Sequence, residues 1–507
     1  MAKHPDSVTG IKVPEDEEIQ DITPTGTNDY EVKPDWPAEE EIKVKRKVDF
    51  IFLPLLMLAF FALQMDRGNI SAALTDTITE DLGISTNQIN IGNQLLSAGI
   101  VILEIPSNVI LQRIGPQKWL AGQIMCWGLV ATLQLFATNL GGYLATRLLL
   151  GLCEAGFIPG ALYIMSTWYK KSETSLRVSI FFLGNILAVA TSALIGAGIL
   201  TLAGKHGLAG WQWLFLIEGV MSIGIGIIFL LFIPPTVGDG VFLLSRLAVN
   251  GRWSYFTEQE TYILRRRVLL DDPNKAHGAI RIAGSDIMDA LKKPRIWVHV
   301  LITLLATIPV NALGTYSPSI IKSLGFGKVK ANAMYSVGIF AAAVFVVILG
   351  FSADWTKRRG PFALIAATWS LITYAVLKST PSTAGRMHRY AIVVLANVTN
   401  STVHIINVGW LSTNCIGPQQ RSVAMAMIIM AANAAGIAGS QVFRDDDKPL
   451  YHRAFTTITA LAAASEAVVI GQMVWYFASN RILAKKPESE VELVVDEGLV
   501  KRWWWTW

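Results

Sequence analysis

Long apolar runs recur along the chain and predict helices that cross a membrane. Each run has about 20 residues, the length that a helix needs to span a hydrocarbon core of roughly 30 Å. Twelve runs meet this condition, so we expect an all-α membrane protein with twelve transmembrane helices. The expected spans are 50–72, 87–109, 119–138, 143–167, 178–202, 211–233, 296–320, 332–353, 361–379, 388–410, 423–443 and 455–478.

The spacing of these runs divides the chain into two halves of six helices. About 60 hydrophilic residues separate the sixth run from the seventh, far more than any other connection. Two parallel six-helix repeats are one of the known architectures of membrane transporters. The acidic residues before the first run have little apolar surface to bury and predict a disordered tail. The expected parts are a cytoplasmic N-tail (1–47), the N-terminal half (48–233), a cytoplasmic central loop (234–295), the C-terminal half (296–480) and a cytoplasmic C-tail (481–507).

Composition supports this class and excludes several others. The chain of 507 residues is 52% hydrophobic and only 16% charged, whereas a soluble domain carries about 25% charged residues. Its net charge of +5 is small and spread over short basic clusters, so we expect no nucleic-acid partner. The sequence contains no phosphate-binding loop, zinc motif or dinucleotide fingerprint. We therefore expect neither an enzyme nor a bound cofactor or metal.

Lysines and arginines beside the spans indicate how the chain is oriented. If the N-terminus is cytoplasmic, the cytoplasmic connections carry basic clusters, whereas the opposite loop 73–86 carries none. The bias is clear in the first half and weaker in the second, and it predicts that both termini are cytoplasmic. Arg265, Arg266 and Arg267 give the central loop a basic amphipathic segment, which suits either the membrane surface or a solvated connecting helix. The tryptophan-rich residues 503–507 favour passive contact with the membrane surface.

Two charges within the fourth span are candidates for chemistry, because a charge at mid-membrane costs about 2.5–3.5 kcal/mol. Arg147 and Glu154 are seven residues apart, so they share one helix face about 10 Å apart along the axis. The arginine is suited to hold a carboxylate, and the glutamate is suited to take up a proton. The alternative is that each is merely paired with another helix.

The first span adds a second cation close to an acid. Arg67 would enter the central cavity opposite Arg147, and two converging arginines favour an anionic ligand. Asp66 and Glu104 are further candidates for proton coupling. The alternatives are an Asp66–Arg67 pair that closes the helix end and a structural hydrogen-bonding role for Glu104 and for Glu218.

Neutral polar residues form a stripe in the tenth span. Asn397, Asn400, His404 and Asn407 follow one another at intervals of three, four and three, which places them on one helix face. Such a face cannot contact lipid, so it borders either the cavity or a neighbouring helix. We expect Asn397, Asn400 and His404 to bind substrate, together with Asn311 of the seventh span.

Two corresponding cytoplasmic loops are expected to act in gating. In the first half, Arg113 follows Asn108 and Gln112, which occupy the positions of a glycine and an acid, so this loop is expected to gate through a neutral hydrogen bond. In the second half the basic residues can clamp the end of a neighbouring helix while the acid holds them. The gating residues there are Gly350, Asp354, Lys357, Arg358 and Arg359.

These segments resemble the major facilitator superfamily and, within it, the anion:cation symporters of the fungal allantoate permease-like group. The resemblance lies in residues 66–71, 147–160, 210–219 and 420–421, and in the stretch 433–451. It implies the major facilitator fold and proton-coupled import of a small organic anion, such as a carboxylate vitamin or an allantoate-like compound. It also implies that Arg67, Arg147 and Glu154 bind the anion and couple it to the proton.

The resemblance further implies a multi-pass monomer in the plasma membrane. Its partners would be a small anionic substrate, a proton and the lipid bilayer. An exporter of a carboxylate metabolite and a nutrient receptor that does not transport are the alternative functions.

Overall fold

The computed structural model describes residues 35–237, 240–249, 251–271, 284–399, 402–415, 418–448, 450–485, 493–496 and 499–502. Within these ranges, twelve helices are long and apolar enough to cross a membrane, and they confirm all twelve expected spans. We number them as spans 1–12. Their bounds are Ala38–Ala73, Thr86–Ile114, Pro116–Phe136, Leu140–Trp168, Leu176–Leu202, Gly210–Phe232, Pro294–Ser323, Lys328–Thr356, Gly360–Ser379, Arg386–Thr413, Gln420–Gly439 and His452–Leu483.

Two spans are interrupted within the bundle. Span 4 consists of the helices Leu140–Glu154 and Phe157–Trp168, and Gly156 between them has φ of +83°. Span 10 consists of the helices Arg386–Asn397 and Thr402–Thr413. Spans 3 and 5 end in the 3-10 turns Gln134–Phe136 and Leu200–Leu202. The described elements outside the spans are the helices Ile78–Asp81, Leu243–Val249, Glu258–Asp271 and Gly284–Leu291, the 3-10 turns Lys205–Gly207 and Asp445–Asp447, and the antiparallel strands Leu493–Asp496 and Leu499–Arg502.

Small residues allow the helices of the N-terminal half to approach closely. A Cβ atom on Gly128 of span 3 would lie only 2.8 Å from the main-chain nitrogen of Ile223 in span 6. A Cβ atom on Gly99 of span 2 would lie 2.9 Å from the main-chain oxygen of Leu148 in span 4. Such contacts hold membrane helices together where lipid removes the hydrophobic driving force.

The two halves are joined mainly at one end of the bundle. We call the end that carries residues 38 and 483 the terminal end, and the opposite end the distal end. Hydrogen bonds between described residues of the two halves lie in the distal part, and we find none near the terminal end. They include bonds from Lys322 to Thr75 (2.7 Å), from Asn332 to Thr75 (2.8 Å) and from Lys448 to Thr86 (2.7 Å). The distal end is therefore closed in this conformation.

The expected boundary of the N-tail at residue 47 is wrong. The first helix begins at Ala38, and residues 1–34 of the expected tail lie outside the described residues. The early start has a tertiary cause, because Lys47 forms an ion pair of 2.8 Å with Glu260 of the central-loop helix Glu258–Asp271. Span 12 likewise continues to Leu483, beyond the expected boundary at residue 480.

The central-loop helix is attached to the N-terminal half. Arg267 is fully buried and bonds to Glu173 at 3.0 Å and to the main-chain oxygen of Trp168 at 3.3 Å. Leu264 and Val268 are buried beside it. The buried face of this helix packs on protein, while Arg265 and Arg266 on its other face are exposed. Whether that exposed face meets the membrane surface or solvent stays a prediction. The tryptophans of residues 503–507 lie outside the described part of the chain.

Candidate functional site

An ion pair connects span 1 with span 4 in the middle of the N-terminal half. The Nε atom of Arg67 donates a hydrogen bond of 2.6 Å to a carboxylate oxygen of Glu154. The Glu154 side chain is 0% exposed, whereas that of Arg67 is 23% exposed. The helix that carries Glu154 ends at that residue, next to the left-handed Gly156. Residues 87 positions apart in sequence thus form one charged site.

Arg147 lies deeper within the same half. Its side chain is completely buried, and none of its three guanidinium nitrogens has a hydrogen-bond partner among the described residues. The guanidinium carbon lies 5.4 Å from the ring centre of Tyr143 and 5.6 Å from that of Phe215. The sequence predicts that Arg147 and Arg67 converge in an open cavity. In this conformation Arg147 does not do so. It is a cation enclosed by aromatic rings.

Asp66 is the second buried acid of this cluster. It accepts a hydrogen bond of 2.5 Å from the hydroxyl of Ser222 in span 6, and its other oxygen has no hydrogen-bond partner among the described residues. Asp66 also interacts electrostatically with Glu154 and Arg147. The Nε atom of Arg67 donates to Glu154 and not to Asp66. The alternative of an Asp66–Arg67 pair that closes the helix end is therefore wrong.

Two further candidates lie between the halves. Glu104 is partly exposed, and its polar neighbours are Arg67 and Asn433 of span 11. Asn311 of span 7 lies near Gly436 of span 11, where an added Cβ would be 3.9 Å from the Asn311 amide nitrogen and 2.9 Å from the hydroxyl of Ser97 in the other half. Arg67, Glu104, Asn433 and Asn311 thus border the region where the two halves meet.

The polar stripe of span 10 contacts span 7. Asn397 donates a hydrogen bond of 3.0 Å to Ser317, and His404 lies 3.5 Å from the hydroxyl of Thr303. His404 also lines a small cavity within the C-terminal half, together with Ser465. Asn400 lies outside the described residues. The neighbouring-helix interpretation therefore fits Asn397. His404 contacts span 7 and this small cavity, whose lining residues all belong to the C-terminal half.

His299 of span 7 belongs to a buried network that sequence reasoning missed. Asn407 donates to Thr303 and to the main-chain oxygen of His299, so its amide oxygen is left to accept from His299 Nδ1 at 2.6 Å. His299 Nε2 then accepts from the hydroxyl of Tyr476 at 2.9 Å. The signal was available, because a histidine inside an apolar run requires polar partners. The network fastens spans 7, 10 and 12 to one another.

The gating candidates lie at the terminal end. Arg359 donates a hydrogen bond of 2.7 Å to Asp354, as expected, and its guanidinium lies against Gly409 of span 10. Lys357 ends span 8 with a left-handed φ of 54°. The surroundings of Gly350 leave open space for a Cβ, and Arg358 is exposed.

The first-half loop lies at the same end. Arg113 is exposed at the end of span 2, and Asn108 donates to the main-chain oxygen of Glu104 in its own helix. Gating of this loop through a neutral hydrogen bond stays a prediction.

Two halves of six spans, with charged groups enclosed at the centre of one half, define a membrane transporter. The sequence model of the Major Facilitator Superfamily matches residues 56–440. The chain belongs to this superfamily, whose members are transporters and not enzymes. Within the described ranges, no group of three or more histidine, cysteine or acidic side chains is arranged to hold a metal ion.

Similar proteins come from fungi and bacteria. The chain is 28% identical to an uncharacterized transporter of Saccharomyces cerevisiae over 92% of this chain and 85% of that protein. It is 29% identical to a provisionally named tartrate transporter of Agrobacterium vitis over 78% of this chain and 81% of that protein. The fold matches the inward-facing crystal structure of a bacterial homologue of the human lysosomal transporter Spinster, with a TM-score of 0.62 and 15% identity over 89% of this chain and 99% of that one.

Proposed function

We propose that this protein is a proton-coupled symporter that imports a small organic anion with a carboxylate group. The observation that carries the proposal is the Arg67–Glu154 ion pair of 2.6 Å, beside the enclosed Arg147. The provisional name of the Agrobacterium vitis relative, a tartrate transporter, supports an acid as cargo. The resemblance to anion:cation symporters supports the coupling to protons.

Competition for Arg67 provides a way to couple the two solutes. While Glu154 is ionised, it occupies the arginine that would otherwise hold the anion. A proton on Glu154 removes that charge and frees the guanidinium for a bidentate bond to a substrate carboxylate. An anion bound at Arg67 in turn leaves Glu154 without its counter-ion in a buried place, which favours uptake of the proton. Proton and anion therefore bind together.

Other charged groups are assigned supporting roles in this proposal. Asp66 and Glu104 take part in proton transfer, because each lies beside the Arg67–Glu154 pair. Arg147 supplies a buried positive charge that attracts the anion and is released from its aromatic enclosure when the halves rock. Asn311, Asn400 and His404 provide neutral hydrogen bonds from the C-terminal half, whereas Asn397, which binds Ser317 of span 7, has a structural role.

The proposal includes an orientation and a gate. Basic side chains such as Arg113 and Lys118 flank the terminal end, which supports a cytoplasmic position for it and for both termini. The protein would lie in the plasma membrane as a monomer, with its distal gate closed in this inward-facing conformation. On return to the outward-facing state, the loop with Asp354 and Arg359 would meet Arg113 and close the terminal end.

Uptake of labelled tartrate, nicotinate and allantoate into proteoliposomes tests the proposal. With an imposed proton gradient, the wild-type protein should accumulate at least one of these acids. Glu154→Gln should still exchange internal for external substrate but should no longer accumulate it in response to the gradient. Arg67→Gln should lose both activities, while Glu80→Gln and Arg453→Gln, which change exposed residues, should behave as the wild type.

Two results would contradict the proposal. One is gradient-driven accumulation by Glu154→Gln equal to that of the wild type. The other is transport of neutral compounds in preference to acids. Efflux of preloaded acid driven by the same inward proton gradient, which a symporter cannot produce, would identify the exporter alternative.

A further inference from the structure

A basic recess lies between the start of span 7 and the end of span 12, far from the Arg67–Glu154 pair. It is open to the outside, and its walls are Lys293, Pro294, Arg295, Trp475, Tyr476 and Ser479. Two cations and one hydroxyl thus face a common space. The transport site uses none of these residues.

The floor of the recess is rigid. The Tyr476 hydroxyl donates to His299, and Lys293 donates a hydrogen bond of 3.0 Å to Gln420 at the start of span 11. These bonds fix both sides of the recess relative to spans 7 and 11. A ligand would therefore enter a preformed site instead of ordering flexible side chains.

The surroundings of the recess are apolar and exposed at its sides. Trp475 is 42% exposed, Val474 is 60% exposed and Trp297 is 49% exposed. Tryptophans in this position are typical of the interface between the hydrocarbon core and the headgroups. The last apolar turns of span 12 lie here, and the exposed basic residues Arg481 and Lys485 follow. A free anion could bind both cations in addition to their present partners but would leave the apolar sides uncovered, whereas a phospholipid has groups for both.

We propose that this recess binds the phosphate headgroup of an anionic phospholipid from the leaflet at the terminal end. The phosphate would lie between Lys293 and Arg295 and accept from the Ser479 hydroxyl, and an acyl chain would lie along Trp475. Basic pockets between transmembrane helices bind anionic headgroups in this way. The inference does not depend on which solute the protein carries.

Retention of phosphatidylinositol by the purified full-length protein tests this proposal. The protein is reconstituted in phosphatidylcholine nanodiscs with a minor fraction of phosphatidylinositol, washed in about 1 M salt, where the Debye length falls to about 3 Å, and released for native mass spectrometry. Lys293→Gln combined with Arg295→Gln should reduce retention about 30-fold, since each cation contributes about fivefold to binding an anionic lipid surface. Ser479→Phe, which fills the recess without changing charge, should reduce it as well.

A matched control separates a site from general attraction. Arg481→Gln combined with Lys485→Gln removes the same charge from exposed positions, and should stay within about twofold of the wild type because salt screens exposed charges. Equal retention by the wild type and both recess variants would overturn the proposal, as would an equal loss in the control. Complete displacement of the lipid by inorganic phosphate would instead identify a site for free phosphate. Size-exclusion chromatography verifies that Ser479→Phe is folded.

Discussion

The ion pair between Lys328 and Asp76 is expected to keep the distal end closed. The Lys328 ammonium lies 2.5 Å from a carboxylate oxygen of Asp76, and the two side chains are 33% and 2% exposed. The other oxygen of Asp76 accepts from the main-chain nitrogen of Trp211 at 2.9 Å, so the aspartate also fixes the start of span 6. Lys328→Gln is therefore the cleaner perturbation, because it leaves the bond to span 6 intact.

The size of the effect follows from exposure. A buried charge pair would contribute several kcal/mol, but the lysine here is partly solvated and screened by salt. We expect a contribution of about 1 kcal/mol to the closed state. That free energy corresponds to a factor of about five in the ratio of distal-open to distal-closed protein. The Lys328→Gln variant should therefore populate the distal-open state about five times more.

Distance measurements by electron paramagnetic resonance can detect this change. Spin labels at Lys205 and Ser382, exposed positions in the two halves at the distal end, should show a larger fraction of long distances in Lys328→Gln. Lys330→Gln removes the same charge from the same helix, from an exposed position whose ammonium lies 5.6 Å from the centre of the Phe326 ring. An unchanged distance distribution, or an equal change in Lys330→Gln, would refute the reasoning.

Three further variants test the packing of the N-terminal half. Glu260→Gln should lower thermal stability at neutral pH. Burial is the largest influence on Glu260 and opposes its ionisation, but the hydrogen bonds from Lys47 and Thr257 and the charge of Lys47 together lower the pKa. That stability is present above pH 4.5, the ordinary value, and is lost as the pH falls through the lowered pKa, so the difference from the wild type should disappear in acid. Arg267→Gln removes the 3.0 Å bond to Glu173, which keeps only a 3.7 Å contact with Lys45 and a main-chain bond from Lys170, and should destabilise the docked central-loop helix by about 2 kcal/mol, measured by hydrogen exchange. Gly151→Ala should greatly reduce the yield of folded protein in fluorescence size-exclusion chromatography, because the new methyl group would overlap the main chain at Leu96.

Each of these variants has a matched control. Glu258→Gln and Arg265→Gln change exposed residues of the central-loop helix and should leave stability and exchange unchanged. Gly122→Ala places a methyl group where no atom lies within 4 Å, so its yield should equal that of the wild type. A pH-independent effect of Glu260→Gln would contradict its assignment to the ion pair.

The helices could be predicted from the sequence because few backbone structures can satisfy their hydrogen bonds inside lipid. An apolar run of about 20 residues must satisfy its own backbone, and a helix does so within the segment. The start of the first helix could not be predicted in this way. The polar sequence of residues 38–47 predicts a tail. In the structure this segment is helical because Lys47 and its neighbours contact the central-loop helix. The Lys47–Glu260 bond, for example, joins residues 213 positions apart.

The site could be predicted as a set of residues but not as a set of pairs. Charges inside membrane spans are costly and therefore rare unless they have a function. This rule identified Arg67, Arg147 and Glu154, because it depends on composition alone. Which cation pairs with the acid depends on how spans 1 and 4 pack, and spacing within one helix carries no such information. The same limit explains Asn397: its helical periodicity indicates a polar face, while only the packing shows that span 7 covers it.

The contacts at the two ends must have similar total strength if the protein alternates between two states. The distal contacts are amide, hydroxyl and lysine bonds, each worth about 0.5–1.5 kcal/mol net. Their rupture must be offset by new bonds at the terminal end, where Asp354 and Arg113 are exposed in the present conformation. If Asp354 serves in that way, Asp354→Asn should weaken the terminal-closed state and act against Lys328→Gln, which weakens the distal-closed state. The double variant should then return the Lys205–Ser382 distance distribution toward that of the wild type, and a failure to do so would place the terminal gate elsewhere.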